Sequence, residues 1–302
     1  MTRMERSDIY VEAHGPPTTP ALVLVHGAPD RSTSFRAVLP MHADRRIVLY
    51  DRRGYGRSLG APPARAMLDH ADDLLAILEG LPAPPVVVAH SFGSNIAMLA
   101  ATLHPGALAG LGLWEPPLPW VAWWPEGTKR YNAKVAAADD PARMIEGMYR
   151  MLLGAEGWER LDPGAQVELR AEGDAFRVDM GSELDAPFDF RDVTVPTLVG
   201  YGTATVTEHA TGAQWLVDQL PDAHLHVAPG AGHFAPRTHP QEFAVFMEAV
   251  VASTGGGRRG ATGRAQPGVR VRADAPGPPA GPPMSPGGEG VERHGGGGRH
   301  VQ

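Results

Sequence analysis

The chain has 302 residues, a formal net charge of −7 and no cysteine. This mild acidity leaves no basic footprint for nucleic acid, and the absence of thiols excludes disulfides and thiolate chemistry. No apolar run approaches membrane-spanning length and the N-terminus lacks a signal-peptide core, so the expected location is the cytoplasm.

In chain order, short apolar runs alternate with helical stretches. Ala21-Leu22-Val23-Leu24-Val25 reads as a buried strand and leads into His26-Gly27-Ala28-Pro29. Arg46-Ile47-Val48-Leu49-Tyr50 is the next strand, followed by a loop from Asp51 to Ser58. The two glycines of that loop permit backbone angles closed to other residues, and we read it, Asp51 included, as structural. A helix is expected over residues 65–79. The run Pro85-Val86-Val87-Val88 is a third strand, then Ala89-His90-Ser91-Phe92-Gly93, then a helix over residues 92–103. A strand over residues 108–114 ends at Glu115-Pro116-Pro117.

Between residues 117 and 190 the rhythm breaks into short helices, among them 141–153 and 164–173. We read this stretch as a small helical cap inserted over the crevice. Trp120, Trp123 and Trp124 stand near its start and are expected to wall a substrate pocket. Met148 and Tyr149 are expected in its core. The rhythm resumes with a strand over residues 196–201, a helix over 207–220, a strand over 225–228 and a helix over 241–251. His224 and His226 lie two apart on that last strand and are expected to face one side at its rim.

This alternation predicts an α/β fold: a mostly parallel central sheet with helices on both faces. The core domain is expected to comprise residues 1–116 and 191–252. From residue 253 to 302, Gly, Pro and Arg dominate. Such a composition cannot bury enough apolar surface to order itself, so a disordered tail is expected.

The chemistry concentrates at Ser91. A serine between a strand and a helix, with small residues two places on either side, is the signature of a nucleophile elbow. The turn is tight enough to exclude large side chains at positions 89 and 93. It lifts the hydroxyl above the sheet edge and aims the N–H of Phe92 at any oxyanion formed there. A second donor is expected from the loop after an earlier strand, where Ala28 sits. Of the thirteen histidines, His233 has the setting of a general base: a Gly-rich loop, Gly230-Ala231-Gly232-His233-Phe234, late in the chain and after the nucleophile. No cluster of His, Cys or carboxylates has metal-ligand spacing, so neither metal nor cofactor is expected.

Over residues 7–252 the chain resembles proteins of the α/β-hydrolase fold. The resemblance rests on four ordered motifs: His26-Gly27-Ala28-Pro29, the loop from Asp51 to Ser58, the elbow, and Gly232-His233. It implies a serine hydrolase with Ser91 as nucleophile, His233 as base, and Ala28 and Phe92 as oxyanion donors. It also exposes a departure. In most members an Asp follows the strand that here covers residues 196–201, and this chain has Thr205 at that place. Some relatives, certain haloalkane dehalogenases among them, carry their acid at the end of the strand after the elbow helix. Glu115 stands there, and adjacent parallel strands deliver their carboxyl ends to one crevice. Glu208, three residues past Thr205, is the alternative acid; a place in the first turn of a helix also suits it without any catalytic duty.

The expected function is therefore hydrolysis of carboxylic esters or related acyl bonds of a small, partly apolar molecule through a Ser-His-Glu triad. Perhydrolase, haloperoxidase-like or C–C hydrolase chemistry on the same triad is an alternative. Another is a non-catalytic ligand-binding protein on a hydrolase scaffold. A small molecule is the expected partner; the sequence leaves the oligomeric state open.

Overall fold

A computed structural model describes residues 9–185 and 188–255. Seven strands form one sheet: β1 Val11–His14, β2 Leu22–Val25, β3 Ile47–Tyr50, β4 Val86–His90, β5 Gly110–Trp114, β6 Thr197–Gly202 and β7 Ala223–Ala228. Their spatial order is β1-β3-β2-β4-β5-β6-β7, and only β1 runs antiparallel to its neighbour. Every residue of β2, β3, β4 and β5 is buried. A strand covered on both faces has no polar alternation, which is why the sequence shows them as unbroken apolar runs.

The edge strands differ. β1, with sequence Val-Glu-Ala-His, alternates exposed and half-buried residues; it carries no apolar run and was not visible in the sequence. β7 is largely open to solvent, and His226 packs its ring against Phe246.

The α-helices between β1 and β5 are α1 Met67–Glu79 and α2 Phe92–Leu103. After β5 come α3 Glu126–Ala136, α4 Pro141–Leu153, α5 Ala155–Glu159, α6 Pro163–Ala171 and α7 Gly173–Ser182. After β6 come α8 Thr207–Gln219, α9 Ala235–Thr238 and α10 Pro240–Gly255. Side chains alternate across a strand, and the sheet sorts them accordingly. Val23, Val25, Val87, Ala89, Leu111 and Leu113 join the cluster built with α1, α2 and α8. Leu22, Leu24, Val86, Val88 and Trp114 join the cluster built with α10.

The five helices α3–α7 fall between β5 and β6 and have an apolar cluster of their own, including Ile145, Tyr149, Trp158 and Phe176. They pack into the same compact unit as the sheet, a layer on it more than a separate body. α6, Pro163–Ala171, covers nearly all of the expected helix over 164–173, and a second helix, α7, begins at Gly173 with only Glu172 between them. The last helix runs past the expected boundary at 252, to Gly255. The remainder of the expected tail, from residue 256, lies outside the described residues.

β5 owes its close cover to glycine. A Cβ on Gly112 would lie 2.6 Å from Cγ2 of Val250 on α10, and one on Gly200 of β6 would lie 2.7 Å from the Phe246 ring. Gly112→Val should therefore push α10 off the sheet and lower the unfolding free energy by about 1–3 kcal/mol. Urea unfolding measures this directly; unchanged stability would show that α10 can yield at that point.

Candidate active site

β4 and β5 are paired in register, with His90 opposite Trp114. Each strand is followed at once by a residue in the left-handed region: Ser91 at φ 53° and Glu115 at φ 47°. No other non-glycine residue among those described has positive φ. Both positions carry strain that the surrounding structure must hold in place. Ser91 N–H donates to the Trp114 carbonyl at 2.9 Å, and Glu115 N–H donates to the Gly200 carbonyl at 2.9 Å. The two turns are thus stitched to the strand beside them.

Small neighbours make the Ser91 turn fit. A Cβ on Gly93 would lie 2.6 Å from the carbonyl oxygens of Val25 and His26, because α2 starts hard against the end of β2. A Cβ on Gly27 would lie 2.9 Å from the Ser91 Cβ. Both Gly27 and Gly93 are thus needed for backbone approach.

His233 bridges the two turns. Its Nε2 lies 3.1 Å from Ser91 Oγ and its Nδ1 lies 2.9 Å from Glu115 Oε2. The Glu115 side chain is fully buried. Its Oε2 also accepts from Thr205 Oγ1 at 2.8 Å, and its Oε1 accepts from the Gly202 N–H at 3.0 Å. Thr205, at the place where the resemblance leads one to expect an acid, is here a donor to Glu115. Glu208 borders the same cavity but makes no hydrogen bond to His233.

Burial works to raise the Glu115 carboxyl, but the hydrogen bond and charge of His233 and the Gly202 N–H outweigh it and hold the group below its ordinary range. Burial lowers His233, with the Glu115 bond acting against it. A second imidazole, His209 of α8, stacks on His233 at 4.4 Å between centroids and 15° between planes. Burial, and then the nearness of His233, push His209 down to about 3, so it stays neutral across the physiological range. His90 donates from Nε2 to the His233 carbonyl at 2.8 Å and thereby fixes the loop that carries the imidazole. Nothing in the sequence pattern marks His209, because its place against His233 depends on the packing of α8.

Glu115, His209 and His233 offer ligand atoms within 4.8 Å of one another. Glu115 and His233 are already joined by a hydrogen bond, and His209 stacks on His233 with no hydrogen bond to either.

The sequence reading left Arg52 within a structural loop, and the structure gives it a central place there. Its side chain is fully buried. Nη2 donates to the Gly27 carbonyl at 2.7 Å and to Asp179 Oδ2 of α7 at 2.8 Å. Asp179 accepts in addition from Tyr55 Oη at 2.7 Å and pairs with His70 Nε2 at 2.9 Å. The Gly27 carbonyl and the Ala28 N–H belong to one planar peptide group and point in opposite directions. Holding the carbonyl on Arg52 therefore fixes the direction of the Ala28 N–H. The Arg52 guanidinium also lies 5.1 Å from the ring centre of Phe92, whose N–H opens α2. Asp51, by contrast, spends its carboxylate on the Ser32 and Arg57 N–H groups and the Arg57 side chain, in keeping with a structural loop.

Above Ser91 lies a cavity of about 600 Å³, bordered by Ala28, Ser91, His233 and residues of the insertion. Of the three tryptophans expected to wall it, only Trp124 does. Trp120 turns to Phe188 and Phe190, and Trp123, 42% exposed, packs on Trp215 of α8. The segment after Pro116-Pro117 is a run of turns, so neighbouring rings point different ways. Met148, expected in the core, lines the cavity, while Tyr149 is buried and donates to Glu172 at 2.8 Å.

The profile of the "Alpha/beta hydrolase family" matches residues 22–246. A protein named as a carbamate hydrolase, RutD of Variovorax paradoxus, is 28% identical over 267 residues, covering 80% of this chain and 94% of that protein. The pimeloyl-[acyl-carrier protein] methyl ester esterase of Aromatoleum aromaticum is 29% identical over 252 residues, 77% of this chain and 98% of the other. Among solved structures, a thermophilic esterase from Thermogutta terrifontis superposes with a TM-score of 0.66 at 22% identity, over 82% of this chain and 93% of its own. At that identity the superposition speaks for the fold alone.

The Arg52–Asp179 pair sets a pH dependence of stability. Burial would raise Asp179, but Arg52 and His70 dominate and hold it far below the ordinary Asp value. A depressed carboxyl contributes fully above its unfolded pKa, about 3.9, and loses that contribution as pH falls through the folded value. Asp179→Asn should cost about 3–5 kcal/mol near neutral pH, because it strands the Arg52 charge. Urea unfolding at descending pH should show the gap to wild type closing below about pH 4. A constant gap down to pH 2 would contradict the pairing.

Proposed function

The chain belongs to the alpha/beta hydrolase family, and we propose that it is a serine hydrolase acting on carboxylic ester or related acyl bonds of a small, partly apolar substrate. One observation carries this reading: Ser91 Oγ, His233 and Glu115 stand in line at 3.1 and 2.9 Å, beside a cavity of small-molecule size. Relatives named for methyl ester and carbamate hydrolysis support acyl chemistry.

In this mechanism Ser91 Oγ attacks the substrate carbonyl while His233 Nε2 takes its proton. Glu115 keeps the Nδ1 proton in place and offsets the charge of the imidazolium. The N–H groups of Ala28 and Phe92 hold the oxyanion, each contributing about 3–4 kcal/mol to the barrier reduction. The tetrahedral intermediate collapses and His233 protonates the departing alcohol. Water then attacks the acyl-enzyme, giving its proton to His233; the second tetrahedral intermediate collapses, His233 returns that proton to Ser91 Oγ, and the acid leaves. Helices over residues 117–190 act as the cap that shields these steps from solvent.

Four measurements test the reading. A fluorophosphonate probe should label Ser91 rapidly, and a panel of acyl esters of graded chain length should be turned over by the wild type and not by folded Ser91→Ala. Glu115→Gln should cut kcat by about 10³–10⁴-fold, since the amide cannot offset the imidazolium. Glu208→Gln should stay within about threefold of wild type, because no reacting group depends on it. A dead Glu208 variant beside a healthy Glu115 variant would reassign the acid. Finally, only neutral His233 accepts the serine proton. Because burial lowers this histidine, kcat/KM should rise with pH through one ionisation below the usual imidazole value of about 6.5 and then stay level.

A further inference from the structure

The cavity above Ser91 is mostly apolar on its insertion side, where Trp124, Met148, Met151 and Met180 line it. Thr128, Tyr131, Asn132 and Glu183 interrupt that wall with polar groups, and the last two are buried. Asn132 of α3 is 2% exposed, and Glu183, the residue after α7, is 5% exposed. Asn132 Nδ2 donates to Glu183 Oε2 at 2.8 Å. That is the only hydrogen bond of the Glu183 carboxyl among the described residues, and Oε1 is left without a partner.

No Lys or Arg lines the cavity among the described residues. Arg52, the cation whose charge acts on Glu183, is committed to Asp179 and the Gly27 carbonyl. A buried carboxyl with no cation of its own keeps its proton. The charged and polar groups that face it agree: burial pushes Glu183 up to about 8, Asn132 and Arg52 pull it down, and Asp179, one turn earlier on α7, pushes it further up. At neutral pH Glu183 is an O–H donor with no acceptor among the described residues. Asn132 beside it adds a carbonyl and an amide N–H.

We propose that Glu183 and Asn132 form a recognition site for an uncharged polar group of the substrate, such as a carboxamide, carbamate or hydroxyl, held away from the scissile bond. The proposal rests on the reading of this cavity as the substrate site and names what that substrate must carry. An anionic group would meet Asp30 and Glu208 on the same walls with no cation to balance it. An apolar group would leave the O–H of Glu183 buried and unpaired, which is costly. A cation would first have to ionise Glu183 at the expense of its burial.

The test uses two acyl esters of one shape, one ending in an acetyl group, whose carbonyl can only accept a hydrogen bond, and the other in an isopropyl group. Calorimetric titration into Ser91→Ala gives the affinity for each, whether or not Ser91 is the nucleophile. Turnover of the same esters by wild type against Ser91→Ala judges the hydrolase reading separately. The acetyl ester should bind at least roughly tenfold more tightly near pH 7, the worth of one good hydrogen bond. That preference should fade as pH rises through about 8, when Glu183 loses its proton. Adding Glu183→Gln should keep the preference and make it independent of pH, because an amide N–H donates without titrating. Adding Glu183→Leu should abolish it. Equal binding of the two esters overturns the proposal. So does a preference that Glu183→Gln destroys, since the site would then need a carboxylate and would suit a cation.

Discussion

The buried carboxylate of Glu115 ties together the edge of the sheet on which the candidate site stands. Its two oxygens take hydrogen bonds from three separate segments: the end of β6 through Gly202, the following loop through Thr205, and the His233 loop. An ionised carboxylate accepts several donors at once, and each charge-assisted bond lowers the cost of burying it. Removing that charge would loosen all three at the place where the hydroxyl of Ser91 must meet the imidazole.

Parallel pairing makes this arrangement possible. Strands of one direction end on one side of the sheet, so the residues just past β4 and β5 emerge next to each other. Ser91 and Glu115 both turn left-handed there, which ends the strand abruptly and throws each side chain above the edge. Gly27 and Gly93 then allow the neighbouring backbone to close in beneath. The strain of two non-glycine residues at positive φ is borne by the hydrogen bonds that anchor the Ser91 and Glu115 N–H groups to Trp114 and Gly200.

A second buried charge links this edge to the inserted helices. Arg52 and Asp179 lie 127 positions apart and are both fully buried. Burying such a pair stabilises the fold little by itself, because desolvation offsets much of the attraction. Its consequence is positional: α7 holds the guanidinium that holds the Gly27–Ala28 peptide. The insertion therefore supplies both the cavity wall and the restraint on one N–H group at its floor.

The sequence by itself determined the strands β2–β6, the helices α1, α2 and α8 nearly to their ends, and the place of the elbow. Those elements are buried on both faces or carry a clear apolar stripe, and periodicity reports burial within an element directly. The positions of Ser91, His233 and Glu115 at strand ends and loops were legible for the same reason, together with the Thr205 departure that drew attention to Glu115. Periodicity does not report which residue meets which across the chain. β1 escaped notice because an exposed edge has no apolar run. Trp120 and Trp123 were misplaced because irregular turns, whose side-chain directions follow no period, carry them away from the cavity. The stack of His209 on His233, the burial of Arg52 against Asp179, and the meeting of Asn132 with Glu183 were decided only by tertiary structure. Each joins segments distant in sequence, and their geometry and charge exist only once the sheet and its inserted helices have packed.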